Sequence, residues 1–373
     1  MTVTEILRAL VAIPTPSAVS NVALLEWVRE WVEARGWRVA LFPYRDENGV
    51  AKANLIARPI RAGVTDAIKL AFVCHTDTVP YAAAWSAALE LHERDGMLQG
   101  CGACDVKGAL ACFLAAVDVA ATEQMDAGMA LILTADEEIG CKGMERLLVD
   151  GLPSIGAAIV SEPTSLRAGI AGKGYGLARV TVEGVEAHSA FPAEGMSAIR
   201  IGARMIERIY GLGAAAGCAA DALFDPAFTT VNIGMIEGGS AKNIVAGHCE
   251  FLVEWRPIPA DPPGRMLGAI EQMAREIEQQ HRGSRIVVEP LREEAGFAPA
   301  AGGRLRKRLA ELAGCGVTGI SFGSEASRLV CVADEVVVMG PGDMRTAHSD
   351  RECVPAGELT AWTEMLRALL TSY

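Results

Sequence analysis

Side chains able to bind a metal or move a proton recur in one kind of place along the chain, at the end of an apolar run or in the turn behind it. His75-Thr76-Asp77 follows KLAFVC, Glu137 and Glu138 follow MALILTAD, Glu162 follows AAIVS, and His348 lies beyond EVVVMG. Asp105 closes the glycine-rich stretch QGCGAC and stands where it could cap the helical pattern after it. Histidine with several carboxylates suits divalent zinc, cobalt or manganese, and acids gathered in one place repel unless cations hold them. On an extended backbone the first and third side chains of H-x-D share a side. His75 could therefore ligate while Asp77 accepts a hydrogen bond from its other ring nitrogen. Adjacent Glu137 and Glu138 diverge, which leaves one for a metal and the other as a substrate-facing general base; residue types alone do not say which. Singly, each group has a plainer reading: a solvated Glu-Glu pair, a turn acid at Glu162, a surface histidine at His348. Their coincidence at successive strand ends favours one shared crevice.

The elements that must position them alternate. SNVALLEWVREWVEARG carries a helical stripe ending at Gly36, WRVALFPY and NLIARP read as strands, and KLAFVCH, MALILTA and AAIVSE are buried-strand runs. A helix is expected over 105–124 between the first two of those runs. Such alternation predicts an α/β fold with a mostly parallel, mixed sheet flanked by helices. The rhythm changes near residue 170. GYGLARVTVEG, MSAIRIGARMIERIYGL, TTVNIGMIEGG, HCEFLVEWRP, PPGRMLGAIEQMAREIEQQH and SRIVVEPL follow in the order βαββαβ, a ferredoxin-like α+β unit. Strand–helix signals then resume with GRLRKRLAEL, EVVVMG and ELTAWTEMLRALL. The expected layout is a catalytic domain in two parts, 1–170 and 292–373, with an inserted domain over 171–291.

The 373 residues carry 34 Lys and Arg against 46 Asp and Glu, a net charge of −12, which argues against a general nucleic-acid binder. Hydrophobic residues at 51% supply a large core. The start of the chain lacks a basic region followed by an apolar one, and the apolar run ALACFLAAV stops at Asp118, so neither a signal peptide nor a membrane span is expected. Ten scattered cysteines fit a reduced cytoplasmic setting.

HTDTVP, GCGACDVKG, TADEEIG, SEPT, EAHSAFP and GPGDMRTAHS, in this order, resemble the di-zinc aminoacylase and carboxypeptidase family of metallopeptidases over nearly the whole chain. EWRPIP, FGSEAS and GPGD…AH are most similar to the branch that deacetylates acetylornithine or acetylcitrulline. The resemblance implies a zinc-peptidase-like fold whose inserted domain is a lid and dimerisation domain, and two divalent metal ions, zinc or alternatively cobalt. It implies that His75 and Glu162 hold one ion, that Glu138 and His348 hold the other, and that Asp105 bridges them. Asp77 would orient His75 and Glu137 would be the general base. His188, acting from the lid and in the family across a homodimer, would join Asn243, Arg256 and Gly323 in binding a small N-acyl amino acid, with Glu325 a candidate partner for a basic side chain. Two features depart from the family pattern. Cys101 stands where arginine is frequent and forms C-x-x-C with Cys104, read as two small buried residues rather than a zinc or redox pair. Glu254-Trp255 replaces the usual Asp and aliphatic residue before Arg256.

Overall fold

The computed structural model describes residues 1–61, 67–119, 125–126, 128–213, 219–262 and 264–373. In chain order these form α1 (Val3–Val11), α2 (Val22–Glu33), β1 (Trp37–Arg45), β2 (Ala51–Pro59), β3 (Ile68–His75), β4 (His92–Arg94), β5 (Met97–Gln99), α3 (Lys107–Val119), β6 (Met129–Thr134), α4 (Lys142–Asp150), β7 (Ile155–Val160) and β8 (Gly169–Gly172). There follow β9 (Tyr175–Glu183), β10 (Ala187–His188), α5 (Ala198–Gly213), β11 (Thr230–Gly238), β12 (Ile244–Val245), β13 (His248–Arg256), α6 (Arg265–Gln280) and β14 (Arg285–Glu294). The chain ends with α7 (Arg304–Ala313), β15 (Thr318–Ile320), α8 (Ala326–Leu329), β16 (Ala333–Val338), β17 (Cys353–Pro355) and α9 (Ala356–Ser372). Two compact units result: 1–170 with 299–318 and 324–373, and 171–298 with 319–323. The second unit runs on to Ala298, past the return expected at residue 292, because β14 itself continues to Glu294.

The first unit is organised by the strands β1-β2-β6-β3-β7-β16 of a mixed sheet whose order continues β8-β15. Strands β6, β3, β7 and β16 are mutually parallel, while β1, β2 and β8 pair antiparallel with their neighbours. The four parallel strands are buried almost throughout, which is why they read as unbroken apolar runs rather than as alternation. Their parallel direction brings the ends of all four, at His75, Thr134, Val160 and Val338, to one edge of the sheet. Helices α1, α2, α3 and α9 pack into a continuous core in which Phe113 stacks on Phe72, centroids 4.6 Å apart, and meets Trp37 edge-on. The helix expected over 105–124 is α3; residues 120–124 lie outside the described residues.

In the second unit β9, α5, β11, β13, α6 and β14 give the βαββαβ succession, with antiparallel strand order β11-β13-β9-β14. Strands β9 and β13 alternate buried and part-buried residues, as a sheet with one covered face requires. Val180, Val182, Phe251 and Val253 meet Ile201, Met205, Ile270 and Met273 of the two helices in a separate core. Among the described residues no helix is long and apolar enough to cross a membrane.

Candidate metal centre

Each of the parallel strands delivers one or two polar groups to the edge where they end. His75 is the last residue of β3, and its ring is buried. Its Nδ1 lies 3.0 Å from the main-chain oxygen of Asp77 and 3.7 Å from the Asp77 carboxylate. A carbonyl oxygen only accepts, so it fixes the proton on Nδ1 and leaves Nε2 able to ligate a metal. Asp77 thus meets the ring as expected, with the hydrogen bond made by its main-chain oxygen and the carboxylate standing farther off at 3.7 Å. The Asp77 carboxylate is engaged elsewhere: it accepts from Ser17 Oγ at 2.7 Å and from the amides of Glu137 and Glu138 at 3.0 and 3.3 Å.

Asp105 does not cap a helix as expected, since α3 begins only at Lys107. Its two carboxylate oxygens face two histidines instead. Oδ1 is 3.1 Å from His75 Nε2, and Oδ2 is 3.1 Å from His348 Nε2. Glu138 Oε2 lies 3.1 Å from the same His348 nitrogen. Two ligand groups follow, His75–Asp105–Glu162 and Asp105–Glu138–His348, each with its donor atoms within 4.8 Å of one another. Asp105 belongs to both.

The electrostatics ask for positive charge. Burial, with Asp105 and Glu137 nearby, pushes the Glu162 carboxyl well above the usual range, and burial with Glu138 beside it pushes Glu137 up to about 8. The bonds from Asp105 and Glu138 raise His348 to about 10. Burial opposes charge on His75, yet the Asp105 carboxylate carries that ring well above its ordinary value. Burial likewise opposes charge on Asp105, and the two histidines hold its carboxyl well below the usual range. Buried Glu138 Oε1 has no hydrogen-bond partner. An orphan oxygen, crowded acids and two imidazole nitrogens aimed at one carboxylate fit a pair of divalent cations.

The turn presenting both glutamates is itself braced. Asp136 adopts a left-handed backbone, φ +58°, which turns the chain sharply before Glu137. Its carboxylate accepts from buried Lys52 and from Tyr44 Oη, both at 2.8 Å. Cys141 Sγ donates to Glu137 Oε1 at 3.4 Å. Glu352 is buried and accepts from the amides of Gly102, Cys104 and Asp105. Gly102 needs its missing side chain: at φ +76° an added Cβ would lie 2.9 Å from Thr78 Cγ2. Lys52, Tyr44 and Glu352 went unread in the sequence because nothing at their own positions advertises partners tens or hundreds of residues away, and Cys141 because a cysteine four residues past Glu137 reads as an ordinary apolar residue. Cys101 and Cys104 are buried free thiols. Glu325, which directly precedes α8, is 1% exposed, and burial raises its carboxyl to about 7.

The remaining expected residues lie in the second unit. His188 and Asn243 come together there, because β10 pairs with β12 and Ser189 N donates to Asn243 O at 3.0 Å. Asn243 sits in the turn before β12, and both residues are exposed. Arg256 ends β13, where its guanidinium covers the Tyr175 ring at 4.3 Å and its Nε donates to Glu254 at 2.8 Å. A Cβ placed on Gly323 would lie 3.8 Å from Arg256 Nη1.

Residues 71–372 match the family model described as Peptidase family M20/M25/M40. The chain belongs to that family. This M20 chain is a hydrolase, and the side chains that could hold a metal are grouped as above. It is 42% identical to an acetylornithine deacetylase of Myxococcus xanthus, an alignment covering 95% of this chain and 92% of the relative. An acetylornithine deacetylase of Proteus mirabilis is 28% identical over 99% and 96% of the two chains. Among solved structures, a Staphylococcus aureus tripeptidase matches with TM-score 0.79 and 24% identity, covering 99% of this chain and 97% of that one. A Bacillus subtilis protein described as a dinuclear metal binding peptidase of family M20 matches with TM-score 0.71 and 14% identity, covering 99% and 96%. At those identities the two structures speak for the fold alone.

Proposed function

We propose that this M20 hydrolase removes the acetyl group from N2-acetyl-L-ornithine, giving L-ornithine and acetate. Amide hydrolysis rests on one observation above the others: two candidate ligand groups share Asp105 beside the half-buried carboxyl of Glu137. The choice of acetylornithine is supported by the 42% identity to the Myxococcus xanthus deacetylase. In this reading His75 and Glu162 would hold one divalent cation and Glu138 and His348 a second, with Asp105 able to serve both and zinc or cobalt as the metal. A bound pair of such cations supplies Lewis acidity, polarising the amide carbonyl and bringing the pKa of a water near 7.

The chain's own residues supply the rest. Asp77 holds the amides of Glu137 and Glu138, so one carboxylate fixes the direction of both side chains. Glu137 accepts a proton from the attacking water as the new C–O bond forms. It returns that proton to the departing nitrogen as the C–N bond breaks; the proton left on the new carboxyl passes to the amine, so acetate and an ammonium group leave. Arg256, held over the Tyr175 ring, is suited to take the substrate carboxylate in exchange for Glu254.

The test is a panel of acetylornithine, acetylcitrulline, acetylmethionine and succinyl-diaminopimelate with zinc- or cobalt-loaded protein. The account expects the highest kcat/KM on acetylornithine. A tenfold preference for any other member would overturn the substrate and leave the hydrolytic centre standing.

A further inference from the structure

Glu352 lies four residues beyond His348, at 2% exposure, and touches no substrate-facing group. Its carboxylate is spent on three main-chain donors of one loop. Oε2 accepts from Gly102 N at 3.0 Å; Oε1 accepts from Cys104 N at 2.9 Å and from Asp105 N at 3.0 Å. The two segments are stitched again nearby, because Gly100 N donates to Glu352 O and Cys353 of β17 pairs with Gln99 of β5. A ring therefore closes. It runs from the Asp105 amide through Glu352 and back along 352–348 to the His348 ring, which meets the Asp105 carboxylate at 3.1 Å.

Burying an acid at this depth costs more than a neutral side chain would, and a loop held only for stability could be held by other means. What the ring specifies is the placement of Asp105 relative to His348. We infer that Glu352 is a positioning residue for the metal centre, fixing Asp105 and His348 in the mutual geometry that the Asp105–Glu138–His348 ion requires. The inference rests on the two-ion reading above. Partners standing behind ligands in this way typically govern metal affinity by about 10–100-fold. The His75–Asp105–Glu162 ion depends on Glu352 through Asp105 alone, so it should be affected less.

Chelator-treated full-length protein is titrated with cobalt and followed by visible absorption and calorimetry, for the wild type, Glu352→Gln and Glu352→Asp. Glutamine keeps the shape but turns an NH2 group towards a backbone N–H; aspartate keeps the charge but falls short of the loop. Two equivalents bind to the wild type. In each variant one equivalent weakens by about 10–100-fold, the other weakens less, and excess cobalt restores kcat. A folded variant with both affinities at wild-type values overturns the inference alone, as does equal weakening of both. If Glu352→Gln does not reach the wild-type circular dichroism spectrum, Glu352→Asp decides by the same outcomes. A wild type that takes up fewer than two equivalents removes the two-ion reading itself, and this inference with it.

Discussion

Glu137, His75 and His348 share a sign: each has its proton affinity raised in the folded chain, Glu137 to about 8 and His348 to about 10. A group raised in this way stabilises the fold fully below its unfolded pKa, and that stability is lost as pH climbs through the folded value. Asp105 has the opposite sign, and its stabilisation is lost only in acid, as pH falls through its depressed value. Metal-free protein should therefore melt at progressively lower temperature from pH 5 to pH 9, and saturating zinc should flatten that slope by taking over the role of the protons. A melting temperature that climbs over the same window without metal would contradict these electrostatics. For catalysis, Glu137→Gln should lower kcat by about 10²–10⁴-fold while bound metal stays at the wild-type level. Steady-state kinetics beside elemental analysis separates this from loss of a ligand. Residue types and order were enough to single out His75, Asp105, Glu137, Glu138, Glu162 and His348 from the sequence. The use made of Asp77 was not, because its partners Ser17 and Glu137 each lie 60 residues away.

At the scale of elements, the site depends on where the parallel strands end and how the following turns are braced. The strands were legible because burial on both faces leaves them uniformly apolar. Helix α1 could have been read from Thr2-x-x-Glu5, which forms a reciprocal capping box. Helix α4 could not, since its N-cap, Cys141, has a left-handed backbone and makes no side-chain capping bond. The Lys52–Asp136 bridge joins β2 to the glutamate turn with both side chains essentially out of solvent. Removing one partner strands a buried charge, so Lys52→Met should cost about 3–5 kcal/mol. Lys52→Met with Asp136→Asn should recover much of that loss, because no unpaired charge remains. Urea midpoints at unchanged m-value provide the check. A single variant as stable as wild type would show that the bridge does not brace the turn.

For the molecule as a whole, the inserted unit is where the family resemblance puts the shared histidine. If His188 serves the centre of a second copy, mixing His188→Ala protein with Glu137→Ala protein should restore part of the activity that each lacks. No recovery after demonstrated subunit exchange would remove the shared-site reading. Everything else turns on whether separate stretches of the first unit hold two ions around Asp105. Elemental analysis of chelator-treated protein, reconstituted with excess zinc and then dialysed, measures this directly beside an Asp105→Ala control. The account predicts two zinc equivalents per chain for the wild type and a marked loss for the control; a correctly folded wild type that retains fewer than two would contradict it.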